Sequence, residues 1–248
     1  MTHLSLTNLS VTRGDRSILQ NISFEAQGGE FIGLIGPNGT GKTSLMRAMI
    51  GLLPHEGESS LCSLSPEAKA RTASWLPQKR EVAWPISVES LVMLGRHPHH
   101  STAQENDKAV RQALEEMEMT DFAERTATEL SGGETARALI ARCLAQSTPI
   151  MLADEPLAGL DMAHQLSVLE LFRARADKGE LIISSIHDIG LAARYCTRFI
   201  LLGDQQLLVD GKPEDIINDP LFSKVFGIEI IVTPSDDGPI FIPKKRLS

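Results

Sequence analysis

Short apolar runs alternate with amphipathic stretches over most of this chain. Near the N-terminus the pattern predicts strands over residues 4–9, 17–26 and 31–35, followed by a helix over residues 43–51. The alternation resumes at residue 134. The elements predicted there are, in chain order, a helix at 134–146, a strand at 150–153, a helix at 162–177, a strand at 181–185, a helix at 189–195 and a strand at 199–202. Apolar strands separated by helices predict an α/β fold with a mainly parallel sheet.

The stretch over residues 79–130 has a different character. Its apolar positions recur at helical spacing, and glutamates fill the opposite face. We therefore predict one domain over residues 1–248, in which 79–130 form an all-helical subdomain. The remaining residues, 1–78 and 131–248, would form the catalytic core, with an antiparallel β-subdomain at its N-terminus. Two short helices and a strand pair are predicted after residue 211.

Composition narrows the classes of function. A chain of 248 residues suits a single domain with an insertion. The net charge of −8 argues against a nucleic-acid partner, which usually requires a basic surface. Cys62, Cys143 and Cys196 lack the spacing of a zinc site or a disulfide framework, which favours a reducing compartment. No run approaches the roughly 18 apolar residues of a transmembrane helix, so we expect no membrane-spanning segment.

A glycine-rich loop separates the strand at 31–35 from the helix that follows it. Residues 36–43 read Gly-Pro-Asn-Gly-Thr-Gly-Lys-Thr, which is the Walker A pattern. The glycines permit a backbone that turns successive N–H groups towards an anion at a helix N-terminus. Lys42 would bridge the β- and γ-phosphates of ATP, and the Thr43 hydroxyl would ligate Mg²⁺. The candidate ATP-binding residues of this segment are Gly36, Pro37, Asn38, Gly39, Thr40, Gly41, Lys42, Thr43 and Ser44.

A second motif ends the strand at 150–153. This apolar strand is followed by Asp154 and Glu155, which is the Walker B pattern. Asp154 would hold Mg²⁺ through water, and Glu155 would polarise the water that attacks the γ-phosphate. Two acids after a strand are common in proteins, so this assignment depends on the Walker A loop. Together the two motifs predict a P-loop NTPase fold with ATP and Mg²⁺ as its cofactors.

A third motif, Leu130-Ser131-Gly132-Gly133-Glu134, opens the helix at 134–146. A serine and two glycines at a helix start offer a hydroxyl and free N–H groups to an anion, which predicts a second phosphate-facing surface. With this motif the chain resembles the nucleotide-binding domain of ABC transporters, whose signature is LSGGQ. The resemblance implies that Ser131, Gly132, Gly133 and Glu134 contact ATP held by the opposite subunit. Glu134 replaces the family's glutamine, and its carboxylate suits the helix dipole.

Three further positions match ABC motifs in the family's order. The resemblance makes Gln78 the Q-loop residue, which touches Mg²⁺ and links the core to the helical subdomain. It makes Asp161 the D-loop residue at the dimer interface. It also makes His187 the switch residue, which orients the attacking water, so Glu155 and His187 are the candidate catalytic residues. The candidate metal ligands are Thr43, Gln78 and Asp154.

The chain departs from the family at the first hairpin. ABC domains usually stack an aromatic side chain on adenine just before the Gly-Asp turn, and Arg13 occupies that position. A guanidinium plane can stack on a base, so Arg13 is a candidate adenine contact. The alternative is a solvated arginine in a turn.

Residues 92–99 read Val-Met-Leu-Gly-Arg-His-Pro-His and resemble the LGRxPH segment of ATPases that serve importers of ferric siderophores, haem and cobalamin. This resemblance implies a homodimer on the cytoplasmic face of the inner (plasma) membrane. Its partners would be permease subunits and, indirectly, a periplasmic or surface substrate-binding protein. His97, His99 and His100 lack the spacing and support of a metal site, so we predict a polar loop that faces the membrane partner.

The sequence leaves alternatives within the family. The chain could serve another ABC importer or an exporter, since cargo specificity belongs to the permease and the binding protein. A soluble ABC ATPase in translation or DNA repair is disfavoured, because such proteins usually carry twin cassettes, long coiled-coil insertions or zinc modules. A GTPase or small-molecule kinase gives no reason for the signature motif.

Overall fold

The computed structural model describes residues 2–233 and 240–247. Its strands are β1 (His3–Arg13), β2 (Arg16–Gln27), β3 (Phe31–Ile35), β4 (Glu56–Ser59), β5 (Ala73–Leu76), β6 (Ile150–Asp154), β7 (Leu181–Ser185), β8 (Arg198–Gly203), β9 (Gln206–Gly211), β10 (Ile228–Thr233) and β11 (Ile240–Arg246). Its α-helices are α1 (Lys42–Met49), α2 (Pro66–Thr72), α3 (Val88–Met93), α4 (Ala103–Glu116), α5 (Gly132–Ala145), α6 (Met162–Asp177), α7 (Ile189–Tyr195), α8 (Pro213–Asn218) and α9 (Pro220–Phe226).

The central sheet confirms the predicted α/β fold. Its strand order is β5-β6-β7-β3-β8-β9, and neighbouring strands run parallel except for β8 and β9. Every residue of β3, β6 and β7 is buried, as expected for strands with both faces covered. Because these three strands are neighbours and parallel, the loops after them meet at one edge of the sheet. Ligand sites of open α/β sheets form at such an edge.

Two apolar layers cover the faces of this sheet. On one side Ile32 and Leu34 of β3 pack with α1 and with the buried face of the N-terminal strands. On the other side Phe31 and Ile35 pack with α5, α6 and the helices of the 79–130 segment. The alternate residues of β3 thus enter different layers, which is why the strand is apolar throughout. The predicted antiparallel β-subdomain is confirmed, with the order β2-β1-β4.

The middle of the chain is helical, as its apolar spacing predicts. Helices α3 and α4 pack against each other and against α5, the helix that the signature motif opens. A Cβ atom on Gly95 would lie 2.3 Å from the Arg142 carbonyl oxygen, so the segment after α3 touches the α5 backbone. One apolar layer therefore joins the helical segment to the sheet. The division of the chain at residues 79 and 130 stays a prediction.

Four short elements, β4, α2, β5 and β9, were not predicted. Each has four to seven residues, which is too short for a clear apolar period. The pair β10 and β11 confirms the strand pair predicted near the C-terminus. In residues 2–233 and 240–247 none of the helices has both the length and the apolar character to cross a bilayer.

Candidate nucleotide-binding site

The Walker A loop joins the carboxyl end of β3 to α1. At Gly36 φ is 144°, and a Cβ atom there would lie 2.3 Å from the Leu202 carbonyl oxygen, so only glycine fits. Gly41 precedes the helix with a φ of 99°, and no described side chain caps the helix there. The first N–H groups of α1 therefore stay available to an anion.

A cavity of about 490 Å³ lies against this loop. That volume is within the range of sites for small ligands. Its lining combines residues of the Walker A loop with residues from four other parts of the sequence. The lining residues are Arg16, Ile18, Asn38, Gly39, Gly41, Lys42, Thr43, Ser44, Gln78, Glu155 and His187. The structure thus brings six of the nine predicted ATP-binding residues at 36–44 to one cavity with Gln78, Glu155 and His187. The predicted residues Gly36, Pro37, Thr40 and Asp154 are not part of its lining.

Lys42 is buried at the base of the cavity and is held by its own loop. Its Nζ atom donates hydrogen bonds to the carbonyl oxygens of Gly36 at 2.7 Å and Pro37 at 3.0 Å. Burial lowers the pKa of this ammonium, although Glu155 and Asp154 oppose the change. Thr40 donates to the Pro37 carbonyl as well, at 3.0 Å. These contacts fix a cationic donor next to the open N–H groups, where it can bind phosphate oxygens.

Thr43 and Asp154 provide the donor set that suits Mg²⁺. The Thr43 hydroxyl donates to Asp154 Oδ2 at 2.7 Å, across 111 residues of sequence. Asp154 is 1% exposed, and its Oδ1 accepts a 2.7 Å bond from the Ser185 hydroxyl. A hydroxyl and a carboxylate beside a phosphate site fit the oxygen ligands of Mg²⁺. Gln78 lies on the same cavity, but its Nε2 donates to Glu155 rather than to these two residues.

Glu155 lies at the centre of a small polar cluster. Its Oε1 accepts hydrogen bonds from Gln78 Nε2 and contacts His187 Nε2, each at 2.8 Å. Burial acts to raise the pKa of this carboxyl, but the hydrogen bonds from His187 and Gln78 outweigh it, so the pKa is lowered. The group is therefore a carboxylate at neutral pH, as a general base must be. Its backbone is in the left-handed region, with a φ of 51°.

The signature motif lies outside this cavity and begins α5. Ser131 Oγ accepts from the Glu134 N–H at 3.4 Å, and Glu134 Oε2 accepts from the Ser131 N–H at 2.7 Å. These bonds form a capping box, which stabilises the helix start and lowers the pKa of Glu134. Ser131 and Gly132 are exposed. Ser131 and Gly132 therefore lie at the surface of this chain, and Gly133 beside them is half-buried.

Asp161 and Arg13 lie outside the cavity lining as well. Asp161 caps α6 by accepting bonds from the His164 N–H at 2.9 Å and from His164 Nδ1 at 2.8 Å. Arg13 is exposed and lies directly opposite Arg16 across the β1–β2 turn. Among the described residues, Arg16 lines the cavity and Arg13 does not. A contact between Arg13 and adenine stays a prediction.

The three histidines after α3 have separate surroundings. His97 is exposed, whereas His99 Nε2 lies 2.7 Å from the Gln146 carbonyl oxygen at the end of α5. His100 Nε2 pairs with Glu67 at 2.7 Å. Arg96 is buried and donates to the Ala145 carbonyl oxygen at 2.8 Å. This segment therefore satisfies the last carbonyls of the signature helix, which is a role that the sequence did not predict.

Sequence reasoning missed four residues at the site: Arg16, Ile18, Arg80 and Ser185. Arg16 and Ile18 line the cavity from β2. Ser185 contacts Asp154 Oδ1 and accepts from the Glu155 N–H at 2.8 Å. Only one signal was available: Ser185 ends a buried strand two residues before His187. The other contacts depend on tertiary structure.

The arrangement of these residues agrees with the comparisons with known proteins. A family model described as ABC transporter matches residues 19–158. The chain is 37% identical over 250 residues to the hemin import ATP-binding protein HmuV of Thermobifida fusca, covering 97% of this chain and 88% of that protein. It is 35% identical over 253 residues to the petrobactin import ATP-binding protein FpuC of Bacillus anthracis, covering 98% and 93%.

Two further similarities extend this result. The cobalamin import ATP-binding protein BtuD of Halobacterium salinarum is 35% identical over 238 residues, which are 92% of this chain and 60% of that protein. A solved dimeric ATP-binding cassette, in a post-hydrolysis state with ADP and Pi, is 25% identical with a TM-score of 0.77. That match covers 85% of this chain and 98% of the cassette. The chain belongs to the ABC transporter family, as one of its ATP-hydrolysing subunits.

Proposed function

We propose that this ATPase powers the import of a metal chelate, namely a ferric siderophore, haem or cobalamin. The observation that carries the proposal is the similarity, over almost the whole chain, to import ATPases named for hemin and petrobactin. The Leu-Gly-Arg-His-Pro-His segment at residues 94–99 supports the same class of transporter. In this segment His99 contacts the Gln146 carbonyl oxygen at the end of α5, and the adjacent His100 pairs with Glu67. We expect the chelate to pass through a permease without touching this subunit.

We further propose that the active form is a dimer of two copies. In one chain the Walker A cavity and the signature motif are separate, and Ser131 and Gly132 are exposed. An ATP molecule between two copies would contact Lys42 of one copy and the free signature N–H groups of the other. The similarity to a dimeric cassette supports this arrangement. Each dimer would then hold two composite ATP sites, as a two-fold symmetric interface requires.

The residues of the cavity divide the work of hydrolysis. Lys42 and the N–H groups at the start of α1 bind the phosphates of ATP. Thr43 and Asp154 would hold Mg²⁺, which when bound neutralises charge on the β- and γ-phosphates. Glu155 accepts a proton from the attacking water, since its carboxyl is ionised and lies on the same cavity. Gln78 and His187 hold its Oε1 in place from two sides.

Transport would follow from the difference between open and closed dimers. ATP can drive closure only if it binds the closed dimer more tightly than the open one. Closure would move the helical segments together, and this motion would shift permease helices between access states. The subunit would act peripherally at the cytoplasmic face of the plasma membrane. A substrate-binding protein on the other side would deliver the chelate to the permease.

Uptake of labelled cargo tests the proposal. Cells that lack the endogenous copy would carry the unaltered chain, Glu155→Gln or the matched control Glu115→Gln. Glu115 is an exposed carboxylate of α4 that does not line the cavity. We expect uptake of one of three labelled cargoes, ferric siderophore, haem or cobalamin, with the unaltered chain and the control but not with Glu155→Gln. If none of the three depends on Glu155, the cargo assignment is wrong, although the chain remains an ABC ATPase.

A further inference from the structure

Arg80 lies in the loop between β5 and α3, two residues after Gln78. Its guanidinium is half-buried and reaches the turn that follows β6, 75 residues away in sequence. Nη2 donates to the Glu155 carbonyl oxygen, and Nη1 donates to the Ala158 carbonyl oxygen. Burial lowers the pKa of Arg80 and the nearby Glu155 carboxylate opposes this, but an arginine side chain remains charged in either case.

The turn that Arg80 contacts joins Glu155, the candidate general base, to Asp161, the candidate D-loop residue. It starts at Glu155 and leads through Gly159 and Leu160 to Asp161 at the start of α6. Inside the turn, the Ala158 N–H donates to the Glu155 carbonyl and the Leu160 N–H to the Leu157 carbonyl, each at 3.2 Å. These two long bonds are all that the turn's own backbone provides among the described residues. External contacts must therefore fix its shape.

Glu155 is held in a conformation that non-glycine residues seldom adopt. Its φ of 51° lies in the left-handed region, and such a conformation persists only where neighbouring groups enforce it. The structure shows one such group on each side of the residue. Ser185 Oγ accepts from the Glu155 N–H, and Arg80 donates to the Glu155 carbonyl oxygen. A planar guanidinium can bond two carbonyls at once, whereas an ammonium is a point donor.

We propose that Arg80 is a positioning residue that holds Glu155 and the D-loop in the geometry that hydrolysis requires. It acts through the backbone of the turn. Because Gln78 and Arg80 lie in the same loop and contact the carboxylate and the carbonyl of Glu155, a displacement of that loop moves the base and the D-loop together. The proposal rests on Glu155 as the general base and is independent of the cargo.

Steady-state ATP hydrolysis by the purified full-length chain tests this role in four variants. They are Arg80→Ala, Arg80→Lys, Arg80→Met and the matched control Lys79→Ala. Lys79 is the neighbouring cation, its side chain is 87% exposed, and its ion pair is with Glu81 at 3.7 Å. We expect Arg80→Ala to lower kcat about tenfold or more and to change KM by less than about threefold, since misplacing a general base affects the chemical step rather than ATP binding. The control should keep the unaltered kcat.

The other two variants separate the guanidinium fork from charge and bulk. Arg80→Lys should recover less than half of the lost kcat, because one ammonium does not reproduce the two-carbonyl bond, and Arg80→Met should behave as Arg80→Ala. Guanidinium ion at millimolar concentration should partly restore Arg80→Ala and leave Arg80→Met unchanged, since the longer side chain fills the space. A purely structural role would give no such restoration. The proposal is overturned if kcat of Arg80→Ala stays within twofold of the unaltered chain, or if its loss only follows a lowered Tm.

A double variant separates failure of this proposal from failure of the assignment of Glu155. If Arg80 acts through Glu155, then Arg80→Ala should lower kcat less than twofold in a Glu155→Gln background. If Glu155→Gln alone leaves hydrolysis intact, the premise about the base is wrong. If both single variants lower kcat and their effects multiply, Arg80 does not act through Glu155.

Discussion

Two adjacent serines at the end of β7 allow a controlled test of how the Walker B carboxylate is held. Ser184 and Ser185 are both fully buried. Ser185 Oγ donates to Asp154 Oδ1 at 2.7 Å and accepts from the Glu155 N–H at 2.8 Å. Ser184 Oγ has no hydrogen-bond partner among the described residues. Replacing either serine with alanine removes one buried oxygen from the same strand, so the two variants differ mainly in the bonds that are lost.

The difference in free energy of unfolding follows from those bonds. A hydrogen bond to a charged group contributes about 1.5–3 kcal/mol, and leaving a buried N–H without a partner costs about 1–3 kcal/mol. Ser185→Ala loses both bonds. Because the Glu155 N–H is only partly buried, we expect the free energy of unfolding to fall by about 2.5–4 kcal/mol, the lower part of the summed range. Ser184→Ala removes a hydroxyl that is already unsatisfied, so its effect should lie between no change and a gain of about 1 kcal/mol. The small cavity that each change leaves is similar and cancels in the comparison.

Urea unfolding monitored by tryptophan fluorescence and circular dichroism would measure both variants at neutral pH. With a slope of about 2–3 kcal/mol per molar, the two midpoints should differ by about 1–2 M. The unaltered chain should lie close to Ser184→Ala. If the free energies of unfolding of the two variants differ by less than about 0.5 kcal/mol, the reasoning about Ser185 is refuted. Substitutions that break no specific interaction commonly change the free energy of unfolding by about that amount.

Three further predictions concern the signature motif, the nucleobase and the helical segment. Glu134→Gln keeps the capping box but removes a negative charge that would lie beside the bound phosphate, so ATP-driven dimerisation, measured by sedimentation at low salt, should strengthen severalfold. Glu134→Ala loses the capping box and should lower Tm. Unchanged dimerisation of Glu134→Gln would contradict this reasoning. Arg16→Ala should raise the KM for ATP about threefold or more, and Arg13→Ala should leave it unchanged, because of these two arginines Arg16 lines the cavity. A larger rise in KM for Arg13→Ala than for Arg16→Ala would instead favour Arg13 as the nucleobase contact. Gly95→Ala places Cβ against the Arg142 carbonyl and should lower the free energy of unfolding by about 2 kcal/mol. The control Gly211→Ala has open space around its Cβ and should not meet such a clash. Equal Tm values for the two variants would refute the clash at Gly95.

The sequence predicted the elements whose signal is local. Strands β3, β6 and β7 are continuous buried runs, and the Walker A glycines directly follow one of them. The parts that it missed depend on contacts between distant residues. Arg80 belongs to no periodic pattern or motif, and its proposed role depends on a hydrogen bond to the Glu155 carbonyl oxygen, 75 residues away in sequence. Ser185 was interpreted only as part of an apolar strand, because its bonds to Asp154 and Glu155 arise from strand pairing.

The segment after α3 shows the same limit in another way. Its histidines were predicted to form a polar loop that faces a membrane partner. That orientation stays a prediction, but the structure places His99 and Arg96 on the final carbonyls of α5, which the sequence did not predict. Nothing in the local sequence indicates that these side chains donate to the C-terminal end of α5, since Ala145 lies 49 residues after Arg96. Burial and capping of this kind become visible only when the helices are packed.

Complementation between two inactive variants tests the composite site most directly. Lys42→Ala removes the phosphate-binding lysine, and Ser131→Arg blocks the signature surface, so each chain alone should be inactive. In a mixed dimer, the intact Walker A site of one chain meets the intact signature of the other. An equal mixture should therefore regain up to about a quarter of the unaltered ATPase activity, since half of the dimers are mixed and each holds one complete site of two. If mixing restores no activity, the nucleotide is not shared between copies, and the dimer mechanism proposed for this transporter ATPase is wrong.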